Sequence, residues 1–285
     1  MIRPLTAVLA VALLPLVPRA AHAQSAPAAP APSPSPSAAP NPIGPAFGAN
    51  DPCTSIAAIV TRPSVTNSVC TVRPNHVEIE TGYLNTSNEG GGNAVTYPQA
   101  LIRIGTQIPA LELDVAPPNV ARANGGVTTT GTTDAGAGLK YVFGYTPKLN
   151  YGGQVFFSAP TGLNGFSAGG TSASYALNAG YTLSPVFSLA TTVTAQSLSN
   201  GAQHWSALVP SLVLGASLPN GNGVAAEIAQ FTHATGPGTP TRTQYLGSVY
   251  HDVGPRVQLD ASFAFSPTAA TGRYRSVGFG ASFYF

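Results

Sequence analysis

Charge is what this 285-residue chain has least of: Lys and Arg number 12, Asp and Glu 10, and the four types together make up 8% of it. The formal net charge of +2 disappears once Arg3 and Arg19 near the N-terminus are set aside, so no basic patch exists to hold nucleic acid. Cysteine is nearly absent too. Two cysteines cannot supply the four ligands of a structural zinc site, and His22, His76, His233 and His251 are scattered too widely to form a metal constellation. Gly90-Gly91-Gly92 falls in an expected hairpin loop and not where a strand hands over to a helix, so it is no phosphate cradle, and no cofactor is implied. Beyond the N-terminal stretch no apolar run reaches the roughly 18 to 20 residues of a spanning helix. A bilayer crossing would therefore have to be made of strands, because only helices and closed barrels satisfy every backbone donor and acceptor in hydrocarbon.

What the chain does have is 31 glycines, 27 prolines and 44% apolar residues, enough for a sizeable folded part among polar, turn-rich connections. Met1 to Ala23 reads as a secretory signal peptide, with Arg3 in a short basic region, an apolar stretch from Leu5 to Val17 and Ala21-His22-Ala23 as the cleavage site. Residues 24–50, almost wholly Ala, Pro and Ser and without charge, cannot bury enough surface to offset chain entropy. They read as a disordered linker. In an exported chain, Cys53 and Cys70 are expected to pair, closing residues 51–75 into a small segment. Asp51-Pro52 before CTSIAAIVT predicts a short helix capped by Asp51 and ended by Pro63. Whether the segment caps a barrel mouth or plugs it stays open.

Alternation begins at His76 and fills the rest of the chain. In the final strand Val277, Phe279, Ala281, Phe283 and Phe285 take one face, and Tyr274, Ser276, Gly278, Gly280, Ser282 and Tyr284 the other. About twelve such strands are expected between 76 and 285, with 96–107 as one of them and 117–134 as a long loop. Short connections alternate with long Gly-, Thr- and Asn-rich ones, as in a membrane-spanning meander. Parity sends Glu78, Glu80, Arg103, Glu112, Asp114, Lys140, Glu227 and Asp260 to the inner face, since a charge facing mid-bilayer costs about 2 to 4 kcal/mol. These eight are the candidate lumen-lining residues; alternatively they pair across neighbouring strands and close the interior. Tyr145, Tyr151, Tyr181, Phe187 and Tyr250 are expected as an aromatic girdle near the short turns. Pro210, in a strand apolar on both faces, predicts a bulge or a shift of register. The expected fold is an all-β, transmembrane, antiparallel up-and-down barrel of about twelve strands.

The final strand, stopping on Phe285, resembles the last strand of outer-membrane β-barrel proteins, whose aromatic-terminated signal serves barrel assembly. That resemblance implies outer-membrane lipid and the assembly machinery as partners. CTSIAAIVTRPSVTNSVCTVRPNHVEIETGY, from Cys53 to Tyr83, resembles the entrance of outer-membrane transporters of the meta-pathway phenol-degradation type. That resemblance implies passage of aromatic or other poorly soluble small molecules, and it assigns no substrate-binding residue. The leading functional expectation is a passive channel for small solutes, not an enzyme. Two other readings are a lipid hydrolase using His204 and Ser206, which share a strand face, and a non-catalytic surface anchor, which loops of at most about eighteen residues disfavour.

Overall fold

The computed structural model describes residues 51–88, 92–163, 165–233, 236–267 and 273–285. The expected signal peptide and linker lie outside them. Fifteen strands form one antiparallel sheet: β1 (Val77–Asn88), β2 (Gly92–Tyr97), β3 (Leu101–Gly105), β4 (Leu111–Ala116), β5 (Val120–Asn124), β6 (Thr128–Thr132), β7 (Ala135–Tyr145), β8 (Leu149–Ala159), β9 (Ser172–Thr182), β10 (Phe187–Ser199), β11 (His204–Leu218), β12 (Asn222–Phe231), β13 (Arg242–Asp252), β14 (Val257–Ser266) and β15 (Tyr274–Tyr284). The ring closes where β15 pairs with β1, from Glu78 opposite Tyr284 to Asn88 opposite Tyr274. The circuit holds twelve strands, because β2 with β3, β4 with β5 and β6 with β7 are three strands each broken in two. No sheet edge is left at the closure, which is what lipid demands.

The breaks have local causes. Pro98 has no N–H to give the ladder, and Gln99 beyond it takes a left-handed conformation at φ 50°, so the strand expected over 96–107 stops at Tyr97 and resumes at Leu101. Pro117-Pro118 divides β4 from β5 in the same way. The stretch expected as a loop over 117–134 instead carries the β5 and β6 hairpin, whose Thr, Ala and Asn residues extend the wall at its outer end. Pro210 shifts no register: β10 and β11 pair one to one past it, while the ladder from β11 to β12 begins only at Ser211. The irregularity lies at Val142 and Gly144, between β7 and β8.

Alternation holds around the ring. Leu139, Tyr141, Phe157, Leu177, Leu212, Ile228, Phe263 and Phe279 are exposed on the outside, whereas Lys140, Thr192, Ser211, Glu227, Gln258 and Ser282 are buried inside. Of the expected aromatic girdle, Tyr151, Tyr181 and Phe187 are exposed. Tyr250 is not part of it. It shares parity with Gln244 and Leu246 and points inward, where its ring occupies the space left by the missing side chain of Gly223.

The interior is filled from the chain's own N-terminal side. Residues 51–75 make hydrogen bonds to inward side chains of β1, β3, β4, β7, β8, β10, β11, β12 and β14, so they lie within the ring and form a plug rather than a cap. A one-turn helix, α1 (Ile56–Ile59), has Ser55 as its N-cap. Asp51 does not cap it; its carboxylate takes the Cys53 N–H at 2.8 Å and pairs with Arg73 at 3.4 Å. Cys53 and Cys70 form the expected disulfide, and with Ile56, Ile59, Val60, Val72 and Tyr284 they make a small apolar core. Closing a loop of this length is worth about 3 kcal/mol. Replacing both cysteines by serine is therefore expected to expose residues 51–75 to protease while the barrel keeps its heat-modifiable gel band. Equal protease protection with and without the bridge would show that the bridge does not hold the plug.

Candidate functional site

Three sets of inward side chains hold the plug. The first centres on Arg103 of β3, which is 1% exposed. Its planar fork suits a carboxylate, and it binds Glu112 through Nε at 2.9 Å and Nη2 at 3.2 Å. Nη1 reaches Glu80 at 3.1 Å and Glu78 at 3.5 Å. The same guanidinium donates to the plug carbonyls of Ile59 at 2.5 Å and Cys70 at 2.9 Å. Lys140 of β7 also donates to Cys70 O, at 3.2 Å, and Asp114 accepts from Gln154 at 2.8 Å. The carboxylates are matched from the plug as well as from the wall. Glu80 accepts the N–H groups of Thr61 and Arg62 at 2.9 and 3.1 Å, and Glu112 accepts that of Val72. Strand parity makes this possible, because Glu78, Arg103 and Asp114 are direct cross-strand partners on one face.

The second set is Glu227 of β12. Its carboxylate accepts four hydrogen bonds from one plug turn: Ser64 Oγ at 2.8 Å, Val65 N–H at 3.0 Å, Thr66 N–H at 2.6 Å and Thr66 Oγ1 at 2.6 Å. The third is a notch for Arg62. Gly82 and Gly280 face each other across β1 and β15, and a Cβ on either would fall 2.2 or 2.3 Å from the Arg62 head. With that space free, Arg62 meets Asp260 at 3.4 Å, Gln99 at 3.1 Å and the Phe279 carbonyl at 3.1 Å.

All eight charged candidates thus face inward, and the structure gathers them at the plug. Glu78, Glu80, Arg103, Glu112, Asp114 and Lys140 form one cluster, while Glu227 and Asp260 act at separate points. Sequence reasoning missed Arg62 and the glycine pair. The only available signal was that Gly82, Gly278 and Gly280 sit on inward parity, where a small residue makes room for something. Cavities of about 350, 270 and 240 Å³ remain around the plug. The largest lies toward the outer end, between Arg62 to Val65 of the plug and Phe231, Arg242 and Tyr274.

Near the outer rim, Asp134 accepts the N–H groups of Gly162 and Ala168, both at 2.8 Å, and so fastens the loop between β8 and β9. Partial burial raises its pKa, but the N–H groups of Ala168 and Gly162, with Ser167 and Thr161, outweigh this and leave the carboxyl below the ordinary aspartate range. His204 and Ser206 lie exposed on the outer face, and among the described residues no hydrogen bond joins them. The Trp205 side chain between them donates instead to His233 O at 2.7 Å.

Fold and site together define a closed twelve-strand barrel with an internal, hydrogen-bonded plug, an architecture of the outer-membrane kind. The fold is similar to that of an outer membrane channel from Pseudomonas putida F1, at 11% identity over 76% of this chain and 97% of that one, with a TM-score of 0.59. It is also similar to the NanC porin, at 9% identity over 73% and 98% of the two chains and a TM-score of 0.53. A third likeness is to the KdgM porin solved with disordered oligogalacturonate, at 8% identity over 72% and 99%, TM-score 0.51. No protein-family model matches the chain, and no curated protein matches it.

Proposed function

We propose that this protein is an outer-membrane channel for passive entry of small organic solutes, aromatic or otherwise poorly soluble ones among them, and not an enzyme. Residues 1–23 would direct export, 24–50 would serve as a linker, and the strand ending at Phe285 would engage the barrel-assembly machinery. The observation that carries the reading is a closed ring, apolar outside and polar inside, whose interior is filled by a separate hydrogen-bonded segment and not by wall side chains alone. A barrel of twelve strands is wider than the eight-stranded kind that side chains can fill, so it can hold a path once the plug yields. Leu84, Leu246, Phe231 and Tyr274 around the outer cavity favour solutes with an apolar body. The likeness to outer-membrane channels and porins supports the same placement. Among the described residues no side-chain hydrogen bond joins His204 to Ser206, so the hydrolase reading has no observation in its favour.

The test is conductance of the refolded protein in a planar bilayer. Discrete steps of low conductance and low open probability are expected from a plugged pore. Bilayers that stay silent in several salts, with folded protein present, would refute the channel.

A further inference from the structure

Arg242 opens β13 at the outer end of the barrel and faces the lumen. Its guanidinium carbon lies 4.7 Å from the ring centroid of Phe231 and 4.6 Å from that of Tyr274, so one aromatic residue of the adjacent β12 and one of β15, two strands away, fix its position. Every other inward arginine on the site is committed: Arg103 to Glu112, Glu80 and Glu78, Arg62 to Asp260 and Gln99. Arg242 is not. Among the described residues it pairs with no carboxylate and its side chain donates no hydrogen bond, while its Nε is shut away from solvent without a partner. The two Nη groups are not enclosed in that way, and with no acceptor beside them among the described residues they are the donors open to an incoming oxyanion.

We propose that the outer cavity is a binding site for a small organic carboxylate, with Arg242 as its anion-recognising residue. This rests on the channel reading and names the solute class for it. The cavity of about 350 Å³ suits a molecule of one or two rings. Phe231 and Tyr274 flank the guanidinium, which leaves its edges to meet a carboxylate side-on, and Leu84 and Leu246 give the ligand an apolar wall. Among the described residues the acids around the guanidinium are held by the plug or by other cations: Glu80 accepts from Thr61, Arg62 and Arg103, Asp260 pairs with Arg62, and Glu227 accepts from Ser64, Val65 and Thr66, so none of them pairs with Arg242.

The experiment is calorimetric titration of the refolded full chain in detergent micelles with sodium benzoate and, separately, with benzyl alcohol, which matches it in size without the charge. Benzoate is expected to bind at least about 10-fold more tightly than the alcohol. Arg242→Ala should weaken benzoate about 10- to 100-fold. Arg242→Lys, which keeps the charge without the fork, should weaken it about 3- to 10-fold and is decisive if the alanine variant lacks the compact gel band. Arg275→Ala, on the outward face of β15, should leave binding unchanged. Equal affinity for benzoate and benzyl alcohol, or undiminished benzoate binding by both Arg242 variants, would overturn the proposal. Failure of this site and failure of the channel are separable. A barrel that conducts but ignores benzoate loses the site alone, and one that binds benzoate in a silent bilayer loses the channel alone.

Discussion

Glu227→Ala, alone and with Gly280→Val, is expected to turn a mostly closed pore into a mostly open one. The substitution at Glu227 strips four hydrogen bonds from the 64–66 turn at one stroke. Bonds to a charged acceptor are worth roughly 1.5 to 3 kcal/mol each when measured singly, but four on one carboxylate are not additive, and water can reach the freed donors. A net loss of about 2 to 4 kcal/mol is reasonable, which raises the population of the released turn by roughly 30- to 1,000-fold. Gly280→Val acts at a second attachment, since its Cβ would lie 2.3 Å from the Arg62 head and expel it. In single-channel records the double variant should show long openings where the wild type shows brief ones. Open times unchanged in both variants would mean that the plug is not the gate.

Arg103→Ala carries the second large effect, on the barrel as well as on the plug, whose Ile59 and Cys70 carbonyls it would leave without this donor. It would leave Glu78, Glu80 and Glu112, all at most 2% exposed, without their shared cation. Removing one member of a buried ion cluster typically costs about 3 to 5 kcal/mol, because the remaining charges stay desolvated and unpaired. The variant should refold poorly, with the compact band that resists detergent before boiling reduced or absent. The loss should be repairable. Arg103→Met together with Glu112→Gln removes opposite charges in step, and should recover part of the compact band that Arg103→Met alone forfeits. A single variant as resistant as wild type would show that the cluster contributes nothing to stability.

Much of the wall was legible because its physics is local. A residue's neighbours two positions away report which face it shares, so Phe279 and Glu227 could be sent outward and inward without knowing any partner strand. The disulfide was legible because two cysteines in a chain expected to be exported leave one pairing. The plug's attachments were not, since they join residues as far apart as Thr66 and Glu227, or Arg62 and Asp260, with no periodicity linking them. Composition also misled in places. The Thr-, Gly- and Asn-rich stretch that forms β5 and β6 has the residues of a loop, and only the neighbouring strands make it a wall. Asp51 had the chemistry of a helix cap but found Arg73, leaving the role to Ser55. Arg242 was overlooked because parity places a charge on a face and does not say whether anything there will pair with it.

Which side of the wall meets acyl chains can be read directly by fluorescence. With Trp205 replaced by Phe, a single tryptophan placed at Phe279 or at Phe231 is compared in vesicles of ordinary and brominated lipid. Phe279 is outward on β15 and Phe231 inward on β12 beside Arg242. Strong quenching of Phe279→Trp and little quenching of Phe231→Trp by the brominated chains is the expected result. Equal quenching at both positions, or the reverse order, would contradict a lipid-facing exterior around an enclosed lumen.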